Sequence, residues 1–210
     1  MEIHDMPKLE SPFVREGEEY LVTPQIAKGY EWVFEDESVI CTEKLDGTNV
    51  SIVIEGGVIT SVWNRTERIP FFNKGKSHII EGVLESYKRG YMDLLPDGQH
   101  FGELVGEKVN GNRYELEGHL WIPFETYVRN HLRYKSWGKY PKDFQTISNW
   151  LKDDIFSLFT SMKHHEKSKA KPEGIVFVQP STGKMAKLRE DMYDWFKGAR
   201  HKEVEKEEVI

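Results

Sequence analysis

The chain has 210 residues, 38% of them hydrophobic, with 11 Phe, 9 Tyr and 6 Trp; this suits one large domain with a real core and excludes a disordered polymer. Its net charge of −6 excludes a generally basic nucleic-acid binder, so any polyanion site must be a local patch. The single Cys41 excludes an intrachain disulfide, no apolar run approaches the ~18 residues of a membrane span, and the polar start "MEIHDMPKLE" is unlike a signal peptide, so the expectation is a soluble, intracellular, cytoplasmic protein.

In chain order, "VICTE" (39–43) reads as a strand and "EKLDGTN" (43–49) as a polar loop. "NVSIVIE", Gly56-Gly57 and "VITSVWN" form a strand, tight turn and strand, hence a hairpin. "SHIIEGVLESYKRGY" (77–91) places Ile80, Val83, Leu84, Tyr87 and Tyr91 on one helical face, with Ser77 as a candidate cap. "HFGELVGE" and "GHLWIPFETY" read as strands separated by the polar "KVNGNRYELE". A long helix is expected over 144–162, with Phe144, Ile147, Leu151, Ile155, Leu158, Phe159 and Met162 on one face and Asp143 as N-cap. After the lysine-rich 163–171 come the strands "EGIVFV" and "KMAKLR", a short closing helix "DMYDWFKGA" with Met192, Trp195, Phe196 and Ala199 inward, and a charged tail. There is no internal repeat, low-complexity tract or linker rich in Pro, Gly or Ser. The fold class expected is α+β, mostly antiparallel sheets with flanking helices, as a single domain over 1–210.

The polar residues on these elements each carry a sharp and a bland reading. Lys44 can be a nucleophile only as the free amine, and an ordinary lysine titrates near about 10.4, so a reactive one needs burial or neighbouring cations. On "KMAKLR", alternation sends Lys187 and Arg189 to one face and Lys184 to the other. Two cations beside an apolar strand suit a nucleotide phosphate, or a solvated sheet edge. Glu173, at the mouth of an apolar strand, could hold a hydrated Mg²⁺ or be a surface glutamate. Glu103, mid-strand, could accept hydrogen bonds from a ribose or face water. Phe124 could stack on a purine or fill the core, and Arg65 could clamp a phosphate or be an ordinary surface arginine. Residues 128–142 hold Arg129, Arg133, Lys135, Lys139 and Lys142 with Tyr134, Trp137 and Tyr140 interleaved and no acid. That is the composition of a nucleic-acid surface, or of a solvated loop whose rings pack inward. No histidine pair has a metal-ligand spacing, and Cys41 reads as a core residue.

Taken in order, "EKLDGTN", "NRT", "FGEL", "WIPFE", "EGIVF" and "MAKLR" resemble the motifs of the covalent nucleotidyltransferase superfamily of DNA ligases, RNA ligases and capping enzymes, over about residues 40–190. The "GTN" after Lys-x-Asp-Gly is similar to the RNA ligase branch, in particular enzymes that seal nicks in duplex RNA; DNA ligases tend to carry Arg where this chain has Asn49. The resemblance implies a ligase catalytic domain of the nucleotidyltransferase, ATP-grasp-like kind, using ATP and Mg²⁺ or Mn²⁺. Lys44 would attack the α-phosphorus, expel pyrophosphate and carry AMP as a phosphoramidate. The adenylate would then pass to an RNA 5′-phosphate, and a 3′-hydroxyl would displace AMP. The resemblance also implies roles for Glu43 at the nucleotide, Phe124 on adenine, Glu103 at the ribose, Arg65 on a phosphate, Glu173 at the metal, and Lys187 with Arg189 (or Lys184) on the phosphates. Asp46 would orient the lysine loop and Asn49 would act at the RNA ends. A DNA ligase, a capping guanylyltransferase and a non-catalytic nucleotide- or RNA-binding module are the competing functions. Family members commonly carry a further domain after the last motif, whereas only residues 190–210 follow Arg189 here, so the expectation is that the catalytic domain suffices or that RNA is gripped by a partner, a second subunit or an insertion.

Overall fold

The computed structural model describes residues 2–72, 74–164 and 169–200. The strands in chain order are β1 (Phe13–Glu16), β2 (Leu21–Ile26), β3 (Ile40–Lys44), β4 (Thr48–Glu55), β5 (Val58–Asn64), β6 (Glu67–Ile69), β7 (Gly98–Gly106), β8 (His119–Pro123), β9 (Gly174–Val178) and β10 (Met185–Arg189). The α-helical segments are α1 (Trp32–Glu35), α2 (Ser77–Lys88), α3 (Arg129–His131), α4 (Phe144–Asn149) and α5 (Leu158–His164). The described strands form a β1-β2 hairpin, a three-stranded sheet β10-β9-β3 and a five-stranded sheet β6-β5-β4-β7-β8. All strand pairs are antiparallel, which fits the α+β expectation.

Alternation sorts the three-stranded sheet into two chemically distinct faces. Cys41, Ile175, Phe177, Ala186 and Leu188 face the largest apolar cluster, together with Tyr134, Trp150, Met192 and Tyr193. Thr42, Lys44, Val176, Val178, Met185 and Lys187, the intervening positions, face the other way and line a cleft. A second cluster packs α2 against Val50, Ile52, Leu104 and Trp121 of the five-stranded sheet. A third, containing Leu45, Val105, Tyr114, Ile122, Val128, Leu132 and Phe159, lies around the link between β3 and β4. That link is not a hairpin turn. It carries the chain from one sheet to the other in three residues, Leu45, Asp46 and Gly47.

Four expectations about elements are corrected. Residues 144–162 are not one helix: α4 ends in a wide turn over Trp150–Asp154, and α5 starts anew at Leu158. The break is chemical, because Ser157 Oγ accepts from Thr160 N (3.0 Å) and the Glu43 carboxylate accepts from Phe159 N (2.9 Å). Asp143 does cap α4, accepting from Thr146 N at 2.9 Å. On α2 the buried face runs through Ile79, Ile80, Val83 and Ser86, while Leu84 and Tyr87 are exposed; Ser77 is the first helical residue and Lys76 occupies the cap. Residues 191–199 form no α-helix: a 3-10 turn over Glu190–Met192 is followed by irregular chain, with Met192 and Tyr193 buried and Ala199 exposed. Phe124 leaves β8 and opens a helical turn, Phe124–Val128, that runs into α3.

In the basic segment 128–142 two of the three rings pack inward, the second of the two readings open to it. Residues 132–134 pair with the free side of β3, since Glu43 N donates to Leu132 O (2.8 Å) and Tyr134 N to Cys41 O (2.9 Å). Tyr134 is therefore buried, donating its hydroxyl to Phe156 O, and Trp137 packs on Phe177 and Trp150. Of the three interleaved rings, Tyr140 alone is exposed. Lys163 and Lys171 of the lysine-rich loop donate to the backbone carbonyls of Tyr114 and Ile155; His165 and residues 166–168 lie outside the described residues.

Gly174 sits in the row Lys44–Gly174–Arg189 across the sheet, where an added Cβ would stand 2.2 Å from Leu188 O and 2.7 Å from Arg189 Cα. Both contacts are backbone, so nothing can rotate away. Gly174→Ala is expected to lower stability by about 1–3 kcal/mol, measured as a fall in the urea midpoint with an unchanged m-value. An unchanged midpoint would show that β9 and β10 are not in this register.

Candidate active site

The cleft beside Lys44 has a volume of about 560 Å³ and takes its walls from both sheets and from the N-terminal segment. The three-stranded sheet presents Thr42, Lys44 and Lys187. Asn49 and Glu103, which face each other across β4 and β7, stand on the side of the five-stranded sheet. Arg65 comes from the end of the β4-β5 hairpin, where its backbone takes the left-handed conformation (φ 55°). Phe124 and Arg129 come from the turn after β8.

Lys44 is the last residue of β3, opposite Gly174. Its Nζ therefore reaches the residue preceding β9, and it lies 2.6 Å from Glu173 Oε2. The pair is largely shielded, with side-chain exposures of 23% and 10%, so it is far better held than a surface ion pair. The loop that follows is fixed residue by residue. Leu45 is buried in the third cluster. Asp46 accepts from Asn110 Nδ2 (2.7 Å) and from an Arg113 amino group (3.3 Å), and its N–H donates to the Tyr114 hydroxyl (2.8 Å). A Cβ on Gly47 would fall 2.3 Å from Leu104 O and 2.7 Å from Glu103 Cγ. The glycine thus lets the loop lie directly against β7, which sets Glu103 beside Lys44.

The electrostatics follow from that crowding. Burial pushes the Glu103 carboxyl up to about 8; the negative charges of Glu173 and Asp46 add to the shift, while Lys44 and the Gly47 N–H oppose it. Glu43 is pushed up to about 7, again by burial, against the hydrogen bonds from Ser157 and the α5 backbone. The Tyr114 hydroxyl is held protonated well above its ordinary range by burial and by the charge of Glu43.

Two residues expected at the nucleotide point elsewhere. Glu43 borders the cleft, but strand alternation turns its carboxylate to the opposite face, where it accepts from Ser157 Oγ (2.7 Å) and Phe159 N (2.9 Å). Arg189 lies on the same sheet face as Lys187, as alternation predicts, yet its Nε donates to Asp191 Oδ1 at 2.8 Å; among the described residues β10 contributes Met185 and Lys187 to the cleft wall and not Arg189. Lys184 precedes β10, is exposed and is absent from that wall. Lys44, Arg65, Glu103, Phe124 and Lys187 do share the cleft, and Glu173 joins them through Lys44.

Sequence reading missed the N-terminal segment. Asp5, Met6, Pro7, Lys8 and Leu9 line the cleft. The segment is tied to β7 by His4 N to Gln99 Oε1 (3.1 Å) and Gln99 Nε2 to His4 O (2.8 Å), and to β10 by Lys187 N to Glu10 O (2.9 Å). It has no periodicity or motif that could have announced this. Asn110, Arg113 and Tyr114 were also missed; the Asn-Gly-Asn cluster inside "KVNGNRYELE", with positive φ at all three residues, marks a sharply folded loop but not its target.

Among the described residues no three His, Cys, Asp or Glu side chains form a metal cage. A hard divalent cation of the Mg²⁺ or Mn²⁺ type is held by one or two carboxylates with water and substrate phosphate completing its shell; Glu173, beside Lys44, is a carboxylate that fits such an ion.

Two antiparallel sheets joined across a lysine-bearing link, with a cleft between them, constitute a nucleotidyltransferase-type fold. The chain matches the RNA ligase family over residues 37–197, and it belongs to that family. Among solved structures it is similar to the RNA ligase of Naegleria gruberi with PPi, at TM-score 0.55 and 15% identity, covering 90% of this chain and 58% of that one. It is likewise similar to a mutant of that ligase in the apo state (TM-score 0.54, 15% identity, 87% and 59%) and to a mutant with ATP and Mn (TM-score 0.53, 15% identity, 86% and 59%). This chain thus spans less than two thirds of the chains it resembles. Nothing among curated protein sequences matches it. No helix among the described residues is long and apolar enough to cross a membrane.

The raised Glu103 carboxyl has a consequence for stability. A carboxyl whose folded value lies above its unfolded one binds more protons in the folded state, so unfolding free energy falls as pH rises from the ordinary carboxylate range through about 8. Urea titrations at pH about 5, 6.5 and 8 should show wild type losing more stability across the series than Glu103→Gln. Parallel curves for the two would rule out a buried, protonated Glu103.

Proposed function

We propose that the protein is an ATP-dependent RNA ligase that works through a covalent Lys44–AMP intermediate. The single observation that carries this reading is the position of Lys44. Its Nζ is anchored 2.6 Å from Glu173, in a cleft whose wall also holds Lys187, Arg65, Glu103 and Phe124. In the first step the Lys44 amine forms a P–N bond to the α-phosphorus of ATP as the bond to pyrophosphate breaks. The attacking amine must be neutral, and its proton passes to the Glu173 carboxylate or to water. A divalent cation at Glu173 would supply charge neutralisation for the phosphates. Lys187 and Arg65 would offset the remaining charge. Phe124 would stack on adenine and Glu103 would hold the ribose; a carboxyl raised to about 8 is protonated at neutral pH and able to donate as well as accept. The AMP then moves to an RNA 5′-phosphate, and a 3′-hydroxyl displaces it to join the strands.

Membership of the RNA ligase family and likeness to a ligase with ATP and Mn in its structure support this reading over a capping or DNA-joining activity. Glu43 enters it as a positioning residue: by capping α5 it braces the end of β3 from behind. Arg189 enters as a partner of Asp191, leaving Lys187 as the cation of the last motif that borders the cleft. The catalytic domain as described would carry the chemistry of nucleotide transfer.

Wild-type protein incubated with α-labelled ATP and Mg²⁺ or Mn²⁺ should give a labelled band on a denaturing gel that is acid-labile and absent in Lys44→Ala and Lys44→Arg. Glu173→Gln should reduce the adduct at least about tenfold, consistent with loss of a charged partner. α-Labelled GTP in place of ATP, and nicked DNA in place of RNA, separate the competing nucleotidyl transfers. A band that persists in Lys44→Ala, or none in wild type, would sink the covalent mechanism.

A further inference from the structure

The β5-β6 turn and the loop after β6 have a feature that nucleotide transfer does not use. Phe72 is 99% exposed and its neighbour Phe71 46%. They sit in a stretch, 65–76, that holds Arg65, Arg68, Lys74 and Lys76 against one acid, Glu67. That local excess of positive charge stands on a chain whose net charge is −6.

The described part of the stretch is anchored at both ends. Ile69 is buried at 1% in the second core cluster, opposite Val62, and Lys76 Nζ closes the far end on Glu67 Oε2 at 2.5 Å. The two rings are therefore presented by an anchored base. The pair Glu67–Lys76 also consumes the one acid, so the stretch shows Arg65, Arg68 and Lys74, all exposed, to a ligand. At its start, Arg65 lines the cleft. Arg65 is thus the residue that the charged stretch and the nucleotide cleft share.

We infer that Arg65, Arg68, Phe71, Phe72 and Lys74 form an RNA-docking rim, with Phe72 as a stacking platform for an unpaired base and Arg68 and Lys74 on the flanking phosphates. Charge complementarity selects the occupant. An apolar partner surface would gain nothing from three exposed cations, whereas a single-stranded polyanion with unstacked bases uses both the cations and the rings. The shared Arg65 says where the strand leads: its terminal phosphate reaches the cleft while nucleotides further along lie on the rim. The inference rests on the RNA ligase reading for its choice of RNA.

The test is fluorescence anisotropy with a labelled, 5′-phosphorylated single-stranded RNA of about twenty nucleotides, without ATP, alongside self-adenylylation of the same preparations. Phe71→Ala/Phe72→Ala should weaken RNA binding about tenfold or more, the scale of one lost base stack. Phe72→Tyr should stay within about twofold of wild type, and Phe72→Leu should behave like alanine. Arg68→Ala/Lys74→Ala should reduce the slope of log affinity against log salt by about 1.4, or 0.7 per phosphate contact on a single strand. The adenylyl adduct and the urea midpoint should not change. Unchanged RNA affinity in the double alanine variant overturns the rim, as does full rescue by Phe72→Leu, which would mean a merely apolar contact. Loss of the adduct, or a wild-type dimer that the alanine variant dissociates in sedimentation, overturns it too. If wild type forms no adduct, the lysyl-AMP reading falls while the RNA titrations still decide the rim.

Discussion

The pairing of β3 with β9 is the constraint on which the site depends. In the observed register Lys44 lies opposite Gly174, and Glu173, one residue upstream, receives its ammonium. A slip of one residue would turn every side chain of β3 to the other face. Lys44 would then enter the apolar cluster and Glu43 the cleft. What prevents the slip is burial. Cys41, Ile175 and Phe177 are fully buried, and shifting them out would expose the centre of the main core, at roughly 1.5–3 kcal/mol per large side chain.

The short link after Lys44 converts that register into a site. Leu45 is held by the third core cluster, Asp46 by Asn110 and Arg113, and Gly47 by its close approach to β7. Three consecutive residues thus point in three directions under three different forces: burial, charge-assisted hydrogen bonding and steric clearance. Together they bring the two sheets close enough for Glu103 and Glu173 to influence each other. Burial in the same place raises the Glu103 carboxyl to about 8, which a position on an open sheet face would not do.

Much of this was legible in the residues. Alternation along β3, β4, β5, β9 and β10 showed which side chains share a face, and the Gly56-Gly57 turn marked the hairpin. The ordered motifs placed Lys44, Glu103, Phe124, Glu173 and Lys187 in one reading, and these are the residues that meet. The misreadings share a cause: periodicity sees a helix but not what a distant residue does to it. Residues 144–162 have unbroken helical spacing, yet Glu43, more than 100 positions away in sequence, ends the run by capping α5. For Tyr134 and Trp137 the alternative that the rings pack inward holds, because β3 recruits residues 132–134 as an additional edge. Arg189 had the right face and parity, but a neighbouring aspartate took its guanidinium.

By itself the sequence determined the strand faces, the hairpin, the motif order and hence the family, because these depend on local alternation and on residue identity at short range. The tertiary structure alone decided which carboxylate touches Lys44, that Ser157 and Phe159 hold the Glu43 carboxylate, that Asp46 is latched by Arg113, and that residues 5–9 help to wall the cleft. Each of those contacts joins segments far apart in the chain, and no local pattern encodes a partner that only the packing of two sheets brings within hydrogen-bonding distance.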